Sequence, residues 1–429
     1  MIDPATGGKH YSVAADGRVG KRTVGHLNAG HAFVESVPDM TAFAEVLNTR
    51  LVPGKDILTY GIPLNAIPEA GIPLFSRKRR RGEDAERAIT RTSSDLAWPK
   101  GPGIFAADYD PDGGARLNRA ALLEQLFDVV PGLDGCDVIW GCSSSSFIYK
   151  GDRKRTGLKG QRIYFAAQDG RDIARAGDVL LKRFWLAGHG RIMVSASGHM
   201  LVRGTFDPCM YQPERIDYAA GAVCGKGLEQ RRPPAQLVST GEVLVDTQTV
   251  LPPLSHAEEA AYVEMVDAAK RAAEPAAAAQ RAVWAEVQLA RKARLDAGEH
   301  ASERAVERRI EALRAEGYKD VLLKRASEDT TVLPFDHLIR LRNGKFVSAQ
   351  AIVENPGRYH GMSTADPLEP DYGGGRQTGK IFTDRTPLIV SQAHGIQKTY
   401  TLGTEEEKRE LHGRLWSEFS KIMKEAKNG

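Results

Sequence analysis

Gly103-Ile104-Phe105-Ala106-Ala107-Asp108-Tyr109-Asp110-Pro111-Asp112-Gly113-Gly114 is the stretch on which the reading of this chain turns. Four apolar or small residues, Ile104 to Ala107, run into two carboxylates spaced i, i+2. At the end of a strand that spacing puts Asp108 and Asp110 on one face. Two carboxylates held together repel unless a cation joins them, and a divalent metal is the usual resolution. Asp-Pro-Asp-Gly-Gly is also turn chemistry by itself. On this stretch alone, a metal site and an acidic turn both stay open.

Counting separates rival motifs. An EF-hand loop matches at Asp108, Asp110, Asp112 and Gly113, but its twelfth position is Arg119 instead of Glu, and a strand precedes it. A haloacid-dehalogenase-type phosphatase needs Thr or Val where Asp112 stands. A glycosyltransferase-type Asp-x-Asp carries too little information to exclude.

Downstream, Asn118–Val130 has helical spacing, and Val138–Trp140 reads as a strand entering Ser143-Ser144-Ser145-Ser146. Hydroxyls at a strand end can donate to phosphate, or simply form a loop. The cluster is no nucleophile elbow, because Gly-x-Ser-x-Gly from Gly141 would need glycine at Ser145. A basic stretch from Lys150 through Lys159 to Arg162 leads into a strand over Arg162–Ala166. Cations beside a glycine turn suit a triphosphate or a nucleic-acid backbone. Another apolar run, over Ile192–Val194, is followed by Ser197-Gly198-His199, Arg203 and Phe206-Asp207. Arg203 shares a face with Asp207 if the run between them is extended.

The first 100 residues are loop-rich and contain Arg77-Lys78-Arg79-Arg80-Arg81, either a solvated loop or a phosphate-contacting patch. Alternating strands and helices argue for an α/β or α+β domain ending near Leu237–Val245. After Pro252-Pro253, helices are expected over Ser255–Ala273 and Ala276–Leu295, split by Pro275, with a capping box from Ser255 to Glu258. A third should cover Ser302–Glu316. Short strands return over Val321–Leu402, before a terminal helix over Thr404–Lys427. Gly374-Gly-Arg-Gln-Thr-Gly379-Lys380 begins like a P-loop, but Ile381 replaces the Ser or Thr and no apolar strand precedes it. It reads better as a loop into a hairpin, Ile381–Thr383 and Leu388–Ser391.

The chain has 429 residues, a length for two or three domains. At 41% hydrophobic and 27% charged it is neither collagen-like nor wholly disordered. Four cysteines without a Cys-x-x-Cys pair indicate neither a zinc ribbon nor a disulfide scaffold. No apolar run approaches the ~20 residues of a membrane span, and Met1–Asp16 has no signal-peptide pattern, so a cytoplasmic location is expected. Residues 1–240 hold 32 Lys and Arg against 26 Asp and Glu, and the remainder 27 against 29. The basic front half points to an anionic partner.

Taken together, Asp108-Tyr109-Asp110, Phe206-Asp207 and the block Arg203–Ala222 resemble the archaeo-eukaryotic primase superfamily, in its primase-polymerase branch of phages, prophages and integrative elements. The likeness covers roughly residues 90–235. Where that family places a histidine before an aromatic strand, this chain has Arg162; Ser197-Gly198-His199 fits the family's Ser-x-His literally but lies close to Asp207. Tyr359-His360-Gly361, Asp366-Pro367-Leu368 and Ser391-Gln392-Ala393-His394-Gly395 resemble the connector that follows such modules, where a helicase domain comes next.

The resemblance implies an α+β chain of mixed α/β character. A primase-type catalytic domain with a central sheet would occupy residues 1–250, a helical arm 255–318 and a small C-terminal α/β domain 319–429. It implies template-dependent nucleotidyl transfer in the replication of a mobile genetic element, in a bacterial or phage-infected cell. Asp108, Asp110 and Asp207 would hold two Mg²⁺ or Mn²⁺ ions. Ser143, Ser144, Ser145, Ser146, Lys159, Arg162 and Arg203 would contact the nucleoside triphosphate. Single-stranded DNA template and primer, with a separately encoded helicase, would be the partners. The alternatives are a catalytically decayed nucleic-acid-binding replication protein and an Asp-x-Asp glycosyl or phosphoryl transferase.

Overall fold

Asp108 is carried on the edge of a four-stranded antiparallel sheet. The computed structural model describes residues 7–14, 16–24, 29–75, 88–111, 116–298, 300–328 and 331–414. The basic run Arg77–Arg81 and the turn Asp112–Gly114 lie outside the described residues. So does the later part of the terminal helix, whose residues 405–414 are helical.

The chain is a mixture of helix and strand with several small sheets, an α+β protein, divided into two compact units. The first comprises Met1–Arg191 and Val202–Asp267. Its strands include β1 (Gly8–Val13), β2 (Gly103–Tyr109), β3 (Val138–Cys142), β4 (Gln161–Ala167), β5 (Ala222–Cys224) and β6 (Gln236–Ser239). Its helices include α1 (Met40–Glu45), α2 (Arg119–Val129) and α3 (Ile173–Leu186). The central sheet runs β6-β3-β4-β2, while β1 pairs in parallel with β5.

Register decides what each face of the sheet carries. Phe105 lies opposite Phe165, and their buried rings stack at 4.5 Å. Such a pair adds about 0.5–1.5 kcal/mol beyond its buried area. On the same side, Gln161 accepts the Trp140 indole N–H at 2.7 Å and donates to the Leu117 carbonyl at 2.9 Å, so this buried amide is satisfied. The alternate positions, Ala106 opposite Tyr164 and Asp108 opposite Arg162, point the other way. There Phe43 of α1 packs edge-on against Tyr164, with ring centroids 5.5 Å apart. Helix α2 starts where Asn118 caps the Ala121 N–H.

The second unit comprises Ile192–Leu201 and Ala268–Gly429. Its five-stranded sheet contains β7 (Gly379–Phe382), β8 (Leu388–Ser391) and β9 (Lys398–Leu402), with Phe382 opposite Leu388 closing the expected hairpin. Ile381, Ile389 and Tyr400 share a core with Trp284, Leu289, Val306 and Leu313. The helices and the C-terminal strands thus form one body, not a free arm followed by a separate domain.

The reading of two helices split at Pro275 is corrected. A single helix, α4 (His256–Ala297), runs through Pro275. Proline in a helix interior costs about 3 kcal/mol, but Ala277, Trp284, Ala285, Leu289 and Ala293 are buried along α4, and packing outweighs the local penalty. At its start Ser255 and Glu258 exchange reciprocal hydrogen bonds, the expected capping box. Helix α5 (Glu303–Ala315) follows, capped by Ser302. No helix among the described residues is long and apolar enough to cross a membrane.

Candidate functional site

Three acidic residues have their backbone at the end of β2. Strand β2 runs on through Asp108 to Tyr109, and Asp110 follows it directly. The Asp207 N–H donates to the Asp108 carbonyl at 2.8 Å, joining residues ninety-nine positions apart. The Asp207 carboxylate caps the Cys209 N–H at 3.0 Å and lies 3.8 Å from the Arg215 guanidinium. Asp110 is exposed. Its side chain folds over Gly160, where an added Cβ would meet Asp110 Oδ1 at 2.4 Å, the Tyr109 carbonyl at 2.9 Å and Ser143 Cβ at 3.1 Å. Glycine is needed there so that the serine loop and the end of β2 can close on each other.

Arg162 faces Asp108 across the sheet and forms an ion pair with it. Its Nε also donates to Asp217 Oδ1 at 3.3 Å. Asp217, almost wholly buried, accepts the Tyr60 and Tyr164 hydroxyls at 2.8 Å each. Burial works against the Asp217 charge, but the guanidinium and then the two hydroxyls outweigh it and hold the carboxyl below its ordinary range. Arg162 is therefore committed to two carboxylates. It positions Asp108, where the sequence reading gave it a phosphate.

The serine loop divides into two roles. Ser143 Oγ accepts the Gly160 N–H at 3.2 Å, and Ser146 Oγ accepts the Lys159 N–H at 2.9 Å. These two hydroxyls fasten the loop to Lys159–Gly160. Ser144 Oγ and Ser145 Oγ are both buried with no hydrogen-bond partner among the described residues, so these are the two hydroxyls left to serve a ligand. Phe147 follows with φ at 56°, a left-handed conformation costing about 1–2 kcal/mol for a residue with a side chain. Bonds from its N–H to the Gly157 carbonyl and to its carbonyl from the Arg231 N–H hold it there.

Arg203 closes a strand over Met200–Arg203, and the chain bends at Thr205–Phe206. The run to Asp207 is not extended, so the shared face expected from an extended run is not formed. Burial pushes the Cys142 thiol up to about 11 and the Cys209 thiol to about 12, which makes both poor nucleophiles near neutral pH.

Ser197-Gly198-His199 belongs to the second unit. Gly198, with φ at 81°, lies so close to α4 that an added Cβ would meet Arg281 Cγ at 2.4 Å and the Ala277 carbonyl at 2.8 Å. Ser197 Oγ bonds to Glu369 Oε1 at 2.6 Å and to His199 Nδ1 at 2.7 Å. His394 Nε2 meets Glu369 Oε2 at 2.9 Å, and Ser391 donates to Asp366 at 2.6 Å. Two of the connector-like motifs, around Asp366 and Ser391, thus converge on a hydrogen-bonded knot. Burial opposes the charge of Glu369, but the bonds from His394, Ser195 and Ser197 bring its pKa down to about 2. A carboxyl depressed in the folded state contributes stability above its ordinary pKa near 4.5 and loses it as pH falls toward 2. Acid melting of Glu369→Gln should accordingly show a shallower fall in melting temperature across that window than the parent chain, and a lower value at pH 7. Parallel curves from pH 7 to pH 2 would remove Glu369 from the account.

A two-ion centre needs converging oxygens, and among the described residues no group of three His, Cys, Asp or Glu side chains lies close enough to hold a metal ion. The donor chemistry itself, carboxylates at one strand end with exposed Asp110 and part-exposed Asp207, fits a hard divalent cation. Asp217, Tyr60 and Tyr164 escaped the sequence reading, since nothing local marks an acid after Ile216 as buried. Lys9 and Tyr11 escaped too, although their i, i+2 spacing in an alternating run was a usable signal. No protein-family model matches the chain, and no curated protein or solved structure matches it.

Proposed function

We propose that the chain is a template-dependent nucleotidyltransferase, a primase-polymerase of a mobile genetic element, acting on nucleoside triphosphates over single-stranded DNA. The observation that supports this reading is the backbone hydrogen bond from Asp207 N–H to the Asp108 carbonyl, which joins the chain segment of the third acid to the strand of the first. Arg162 holds Asp108 in place from the neighbouring strand. Asp110 and Asp207 offer carboxylates open to solvent. Ser144 Oγ and the Lys159 ammonium stand on the loop that closes against Asp110, where they would receive phosphate oxygens. Bound at Asp108, Asp110 and Asp207, Mg²⁺ or Mn²⁺ would supply the positive charge that acidifies the attacking 3′-hydroxyl and stabilises the departing pyrophosphate.

A second reading has one specific observation in its favour. The Arg162 guanidinium already neutralises Asp108, which suits a nucleic-acid-binding replication protein without catalysis. Primer extension on a primed single-stranded template, with Mg²⁺ or Mn²⁺, separates the two. Metal-dependent extension lost in Asp108→Ala/Asp110→Ala is the expected result. DNA binding without extension under either metal would establish the second reading, and neither activity would overturn both.

A further inference from the structure

Strand β1 carries Lys9 and Tyr11 on one face, because alternate residues of a strand point the same way. Tyr11 is packed in one buried cluster with Ile148, two residues past the serine loop, and with Ala222, so this face looks toward that loop. Lys9 lies opposite Ala222 of β5. The Ala222 N–H is bonded by the Gln230 amide oxygen at 2.7 Å, and the Gln230 amide nitrogen donates to the Ser146 carbonyl at 2.8 Å. β1, β5 and the serine loop are stitched around one spot. Lys9 is part-buried there, and its ammonium makes no hydrogen bond or ion pair among the described residues. Its charged neighbours are Arg162 and Lys21 on the repelling side, Asp110 and Asp217 on the attracting side.

An ammonium set among cations, part-buried and without a carboxylate of its own, is unfavourable in the empty site and becomes favourable when an anion enters. The cost is visible in its acidity: burial first, then the Arg162 guanidinium, brings the Lys9 pKa down to about 8. Arg162 cannot meet a ligand anion without releasing Asp108 or Asp217, whereas Lys9 has no such bond to release among the described residues.

We infer that Lys9 is a phosphate-binding residue of this site, taking the triphosphate of the incoming nucleotide. The inference rests on the nucleotidyl-transfer reading and adds to it a residue from the N-terminal hairpin, about a hundred positions before the Asp-x-Asp strand. Phosphate is the group recognised, so inorganic tripolyphosphate without base or sugar should occupy the same spot.

The test is made on the full chain with inorganic tripolyphosphate and with a non-hydrolysable deoxynucleoside triphosphate analogue. Lys9→Met should weaken both at least tenfold and leave single-stranded DNA affinity within about twofold. Lys9→Arg should recover most of the loss. Unchanged tripolyphosphate affinity in Lys9→Met overturns the role of Lys9 and leaves the wider reading standing. A parent chain that binds neither probe overturns both. Chemical protection needs no variant: tripolyphosphate should slow acylation of Lys9 several-fold while leaving exposed Lys100 unaffected. Equal labelling of Lys9 with and without the anion would also overturn the inference.

Discussion

Asp217→Asn should destabilise the first unit by about 3–5 kcal/mol, the usual result of removing one partner of a buried ion pair. The substitution keeps the shape and takes away the charge. Arg162 would retain Asp108 alone, inside a pocket closed by Tyr60 and Tyr164. Denaturant unfolding measures the loss as a lower midpoint with an unchanged slope. A loss below about 1 kcal/mol in Asp217→Asn would mean that water reaches the pair and that Asp108 is not rigidly held.

Asp207→Asn should abolish primer extension, by on the order of 10³-fold or about 4 kcal/mol of transition-state stabilisation, while leaving the fold intact. The argument turns on the two jobs of this side chain. Its oxygen caps the Cys209 N–H, and an asparagine oxygen can accept the same bond. Its negative charge is what the proposed chemistry needs. Asp207→Ala removes both and should cost an additional ~1 kcal/mol of stability for the lost cap. Extension rates measured beside melting temperatures separate the two jobs. Full activity in Asp207→Asn would exclude this carboxylate from the reaction.

Much of the sheet could be read directly, because its strands announce themselves. Ile104–Ala107 and Val138–Trp140 are apolar runs ended by Asp108 and Gly141, Arg162–Ala166 is largely apolar, and each lies inside an observed strand. The cap at Ser255 and Glu258 was readable because its bonds are made through purely local geometry. Pro275 misled because its penalty is local whereas the burial of Trp284 and Leu289 is not. Arg203 misled because face-sharing requires an extended chain, and the chain bends at Thr205–Phe206.

The site was legible only where its chemistry lies on consecutive residues. Asp108 and Asp110 advertise themselves at i, i+2. Asp217, Tyr60 and Lys9 enter from segments far apart in sequence, brought in by pairings such as Asp217 opposite Leu58 and Lys9 opposite Ala222. Local patterning could mark the strand face that carries Lys9, but not which distant residues that face would meet. Arg162 was picked out for its charge alone. What the sequence could not disclose was that two acids had already claimed it.

Strand β2 sits at the rim of its sheet, where an unpaired backbone can recruit a strand from another molecule. The Asp207 N–H occupies the Asp108 carbonyl at that rim, and the Gly170 N–H occupies the Gly101 carbonyl just before the strand begins. The segment that delivers the third acid thus also keeps the rim from acting as a template for self-association. Sequence changes that move this segment away would be felt as clumping and poor recovery of protein before any assay of turnover could be run.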